Sequence, residues 1–127
     1  MTIDELKALL VLHDDGVLTT GAHRPDARAF CALEFDSIVR GRPFSDEPLT
    51  LPDLRPLNDG CWSSDLARTN ALLPVMVALW DWSMWSNQRR IDWVTEVAIV
   101  MVQDVIAGLP MLPPAIAIQC QQAITLE

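Results

Sequence analysis

Apolar residues along this chain recur at helical spacing, and nowhere do they alternate as a half-buried strand requires. Ile3, Leu6, Leu9, Leu10 and His13 fall on one face of a first helix over about residues 3–13. Thr2 and Glu5 form a capping box at its start, and Asp14-Asp15-Gly16 ends it. The stretch from Thr19 to Arg24 reads as an ordered loop. Pro25 suits the first turn of a second helix that runs to about Arg40, with Gly41 just past its end. Phe30, Cys31, Glu34, Phe35 and Ile38 share its broad face. Ser63-Ser64-Asp65 opens a third long helix with a stripe at Leu66, Thr69, Leu72, Leu73, Met76, Val77 and Trp80. Pro74 is expected to kink or split it. A fourth helix, Ile91 to Ala107, is apolar around most of its circumference and is therefore expected at the centre of the bundle. Gly108-Leu109-Pro110 stops it, and Pro113-Pro114 opens a last short helix ending near Thr125.

Between these elements, residues 42–60 hold four of the nine prolines and read as a turn-rich crossing with one helical turn between Pro52 and Leu57. Ser83 to Arg90 reads as a polar turn. No internal repeat is visible. The pattern predicts an all-α fold, an irregular single-domain bundle of about four to six helices over residues 1–127, with Leu126-Glu127 reading as a cloning remnant.

Composition narrows the function classes. A chain of 127 residues, half of them apolar, can bury a core without disulfides or metals. Its longest apolar run, Val97 to Val102, falls far short of the ~20 residues a membrane span needs, so no membrane association is expected. Asp4 and Glu5 stand where a signal peptide would carry positive charge, which makes the cytoplasm the expected compartment. The net charge of −8 repels a phosphate backbone and disfavours direct nucleic-acid binding. An acidic chain can also imitate nucleic acid, but that needs carboxylates massed on one face, and here they are scattered. Cys31, Cys61 and Cys120 show no C-x-x-C spacing and read as reduced, buried thiols. With only two histidines, neither at finger-like spacing from a cysteine, no metal and no cofactor are expected.

Folding alone least explains His23, Cys31 and Glu34. The spacing puts the Glu34 carboxylate on the apolar face of the second helix, where it needs a partner. Arg40, Arg55, Arg68 and His23 are the candidates. One reading makes Glu34 a general base raised by burial, acting with His23 in a pocket; the other makes it a polar clamp that pins a loop to the bundle. The clamp is favoured, because no nucleophile or ligand set accompanies the pair. A Cys31–His23 thiol centre is disfavoured by the apolar neighbours of the cysteine. Ser45-Asp46-Glu47-Pro48 and Asn58-Asp59-Gly60 read as turns. Trp80, Trp82, Trp85 and Trp93 are the interface candidates, since Trp80 and Trp82 would point to nearly opposite sides of one helix.

The order Gly21-x-His23, Cys31-x-x-Glu34, Gly41-x-Pro43-Phe44-Ser45-Asp46-x-Pro48 and Asn58-Asp59, then a leucine-rich helix with Arg68 and Pro74, resembles a group of small bacterial proteins of unassigned activity over about residues 16–80. The resemblance implies that His23, Cys31, Glu34, Asp46, Asn58, Asp59 and Arg68 belong to one polar arrangement. It implies no catalytic role. The tryptophan- and valine-rich C-terminal half departs from that pattern. The expected function is therefore non-enzymatic: binding of another protein, or homodimerisation through the C-terminal half. The alternatives are a small enzyme or ligand-binding protein using Glu34 and His23, and an acidic inhibitor that mimics nucleic acid.

Overall fold

The computed structural model describes residues 1–13, 15–106, 110–111 and 113–122, the side chains of 104–106 and 120 excepted, and among these it shows helices and turns but no strand. The helices are α1 (Ile3–His13), α2 (Ala32–Val39), α3 (Arg55–Asn58), α4 (Asp65–Ala78), α5 (Asn87–Val100) and α6 (Pro114–Gln121). A 3-10 turn occupies Trp82–Met84, and a π-helical stretch, Met101–Ile106, follows α5. The chain divides into two compact units, Met1–Met84 and Trp85–Glu127. The helix ends expected at Ala107 and Thr125, the stop at Gly108-Leu109 and the Leu126-Glu127 tail lie outside the described residues.

In the N-terminal unit, α1 starts on the expected capping box. The Thr2 amide donates to Glu5 Oε2 at 2.7 Å, and the Glu5 amide donates to Thr2 Oγ1 at 3.2 Å. Its Leu6 and Leu10 are fully buried, and the helix packs against α4. Gly16, at φ +82°, turns the chain out of α1, a conformation that side chains with a Cβ rarely adopt.

The second helix begins later than expected. Pro25 is not its first turn: the Ala27 amide closes a turn onto Arg24 O at 3.0 Å, and residues up to Cys31 stay non-helical. The start is set instead by Cys31, whose Sγ accepts the Glu34 amide at 3.5 Å while Glu34 Oε2 accepts the Cys31 amide at 2.8 Å. This capping box with a thiol satisfies two orphan amides of the first turn, which Pro25 could not do. The end is as expected. With Gly41 at φ +67°, the Arg42 amide reaches Ser37 O and the Gly41 amide reaches Ile38 O, both at 2.9 Å, a Schellman closure. From Phe30 to Ser37 every residue is buried.

Ser64 caps α4 by accepting the Ala67 amide at 3.0 Å. The helix then runs unbroken through Pro74 to Ala78, so the expected split does not occur. Asn70, Pro74 and Ala78 all lie on its exposed side, where the carbonyl freed by proline faces water. Leu72, Leu73 and Met76 on the other side are fully buried and hold the helix in place.

In the C-terminal unit, Ser86 caps α5 by accepting the Arg89 amide at 3.2 Å. The helix therefore starts four residues before Ile91 and absorbs half of the expected polar turn. The larger correction concerns its position. No residue of α5 is buried, and no described residue after Leu79 is. The burial expected of so apolar a helix is not found: its apolar side chains keep a large share of their surface in water. Among the described residues, neither the π stretch nor α6 buries it.

Candidate functional site

The polar cluster forms where the loop after α1 meets α2, α3 and α4. Glu34, 1% exposed, accepts three N–H groups: the His23 amide on Oε1 at 2.5 Å, and His23 Nδ1 at 2.7 Å with the Cys31 amide at 2.8 Å on Oε2. Facing an acceptor-only carboxylate, Nδ1 donates, and Nε2 is hydrogen-bonded to Thr19 Oγ1 at 2.9 Å. Asn58, also buried, accepts the Ala32 amide at 3.1 Å and donates to Thr19 O and to Asp59 Oδ1, each at 2.9 Å. Asp59 in turn accepts the Gly21 amide at 2.8 Å, the largest reason its carboxyl is held below the usual range, with the Asn58 amide second. Arg68 donates to Asn58 O at 2.7 Å and Leu18 O at 3.2 Å and pairs with Asp65, while Thr69 Oγ1 accepts the Leu18 amide at 2.7 Å.

Nearly every partner here is backbone of residues 18–32 or a side chain that holds that backbone. The arrangement clamps a segment poor in regular structure to the helices. Of the candidate partners for Glu34, only His23 reaches it. Arg40 pairs with Asp36, Arg55 with Asp53, and Arg68 with Asp65. Asp46 stands outside the cluster: its loop is tied down through Ser45, whose carbonyl accepts Ser37 Oγ at 2.9 Å and whose Oγ accepts the Glu47 amide at 3.1 Å. Cys31 serves as the cap of α2. Burial first, and the Glu34 carboxylate with it, pushes its thiol up to about 12 against opposing amide hydrogen bonds. Cys61 is exposed, which corrects its expected burial, and the Cys120 side chain lies outside the described residues.

A second polar knot was not singled out from sequence. Asp36, 2% exposed at its side chain, accepts Arg40 Nε at 2.6 Å, Arg42 Nη2 at 2.7 Å and Thr50 Oγ1 at 2.6 Å. Arg40 also donates to Trp80 O at 2.8 Å and lies 3.8 Å over the Trp80 ring. The i,i+4 spacing of Asp36 and Arg40 was the available signal. The knot fastens α2 to the 42–50 loop and to the chain after α4.

The tryptophans fare differently from expectation. Trp80 and Trp82 lie beyond the end of α4, Trp82 in the 3-10 turn, so the opposed-faces argument does not apply. All four candidates are half-buried. Trp85 lies under the Arg89 guanidinium at 3.9 Å. Two adjoining surface clefts run along α5. One, about 280 Å³ and mostly apolar, is lined by Trp93, Glu96, Val97, Val100 and Met101; the other, about 250 Å³, by Trp85, Arg89, Asp92, Trp93 and Glu96. Neither touches His23 or Glu34. Ile91, Val94, Val97, Val100 and Met101 are 40–58% exposed, and Ile116 and Ile118 of α6 are comparably so.

Among the described residues no group of histidine, cysteine and carboxylate side chains could hold a metal ion, and no helix is long and apolar enough to cross a membrane. Comparison with models of known protein families, with curated proteins and with solved structures finds no match.

Proposed function

We propose that the chain is a non-enzymatic interaction protein whose contact surface is the exposed apolar face of α5. The observation that carries this reading is a helix with four large apolar side chains in water, Met101 just after it, and no buried residue. Contiguous apolar surface of that kind marks contact sites in folded proteins. The competing reading, an enzyme or ligand-binding protein using Glu34 and His23, has less to work with, because both side chains are occupied in holding the backbone of residues 19–32.

The test places a photo-crosslinking amino acid at Val97, on the face and outside both polar networks, and irradiates cells producing the full chain. A discrete intermolecular adduct is expected. No adduct, or only an intrachain one, would overturn the proposal.

A further inference from the structure

Building on that reading, we infer that the partner of the α5 face is a second copy of this chain, bound antiparallel about a two-fold axis near Trp93. Each copy carries both halves of one contact. At the start of α5 stands a plug, the Trp85 ring with the Arg89 guanidinium stacked 3.9 Å over it. Two turns further on stands a receptacle, the apolar cleft lined by Trp93, Val97, Val100 and Met101, with Glu96 at its edge. Arg89 and Glu96 are seven residues apart and therefore share one flank of the helix.

Antiparallel pairing about Trp93 sets Arg89 of one copy beside Glu96 of the other, and Trp85 beside the partner's Met101. Parallel pairing would stack like charges instead. The charges thus choose the orientation as well as the partner. The symmetry then repeats the contact, so each plug meets a cleft and no surface is left to propagate a filament.

The area agrees. Fully exposed aliphatic side chains of this size present roughly 60–120 Å² each. On the side that carries Trp93, the half-exposed Val97, Val100 and Met101 offer roughly 90–180 Å² of apolar surface per chain, beside the half-buried indoles of Trp85 and Trp93. The smallest stable interfaces bury ~500 Å² per partner, a little over half of it apolar, so with both indoles this face reaches the lower end of what a modest dimer needs. Local charge opposes it only weakly: residues 85–127 hold two arginines against four carboxylates, a net −2, and most of the net −8 lies elsewhere in the chain.

The experiment is sedimentation of the full chain across the micromolar range, with two charge-reversed variants. One carries Arg89→Glu; the other carries Glu96→Arg. Each should self-associate about tenfold more weakly than the native chain, and a mixture of the two should restore a dimer, because both sets of contacts are again opposite in sign. The replaced residues are surface side chains of α5, and circular dichroism confirms that the variants fold. A native chain that stays monomeric throughout, or a dimer indifferent to both reversals, overturns the inference. Failure here is separable from failure of the interaction reading. A monomer whose Val97 crosslinks to a different protein removes the second copy but keeps the face as an interface. A monomer without any intermolecular adduct removes both.

Discussion

Glu34 shows why a buried carboxylate can be structural without being weakly held. Its two oxygens accept three donors, two of them backbone amides, of which the one from Cys31 is fully buried. One of those amides belongs to Cys31 at the α2 cap and the other to His23 in the preceding loop, so a single side chain fixes a helix start and the approach to it. Replacement by alanine should cost about 3–5 kcal/mol, since a cavity and several unpaired buried donors remain. Glutamine is the more informative change. It offers one oxygen where two accept, so its amide N–H must face either the His23 amide or the Cys31 amide, whichever way it flips. A loss of about 1–3 kcal/mol in denaturant unfolding is expected. Full tolerance of glutamine would show that the donors find water and that the clamp is looser than its geometry.

At the scale of elements, legibility followed locality. Both ends of α1 were readable because Thr2, Glu5 and Gly16 act within a few residues of one another. The end of α2 at Gly41 was readable for the same reason. Its start was not, because Pro25 is a familiar helix opener while a cysteine in the place of serine hides a capping box. Within the candidate site, the Gly21-x-His23, Cys31-x-x-Glu34 and Asn58-Asp59 motifs did converge, as did Arg68. Asp46 did not, and Asp36 with its two arginines was missed, since sequence spacing says which residues can pair locally but not which loop returns to them. Helicity of α5 was legible; what covers its apolar arc was not, because hydrophobicity reports a demand for burial and not its source. Of the kink or split expected at Pro74, the split does not occur, because the buried residues on the other side of α4 hold the helix together. The intrinsic cost of the proline should still be there. Pro74→Ala, on the exposed side of a helix anchored by Leu72, Leu73 and Met76, should stabilise the fold by about 1–2 kcal/mol, the helical penalty of proline less the entropy it removes from the unfolded chain. A loss of stability on calorimetry would mean that the ring makes a packing contribution its exposure conceals.

Over the whole molecule, core and charge are unevenly shared, and the pH dependence of stability follows from which groups the fold holds. On the acid side, Glu5, Asp53 and Asp59 are held below the usual carboxylate range, first by hydrogen bonds from Thr2, Arg55 and Gly21 respectively. Their contribution is complete above the ordinary carboxylate value and disappears as pH falls through the lowered values, so stability should decline below about pH 4. On the alkaline side the chain is unusually bare, with no tyrosine and a single lysine, Lys7. Among the described residues, the fold perturbs Cys31 there: burial first, and the Glu34 carboxylate with it, pushes its thiol up to about 12. Unfolded, the same thiol ionises near 8.5. The unfolded chain therefore loses a proton first, and stability should fall as pH rises from about 9 toward 12. Cys31→Ser isolates this effect, because serine is a stronger helix cap and does not ionise in the window. Unfolding of the native chain should lose midpoint steadily across that range, while the serine variant should hold nearly level. Parallel decline of the two would assign the alkaline limb to groups other than Cys31, and with it the argument that this thiol is a buried cap held protonated by the fold.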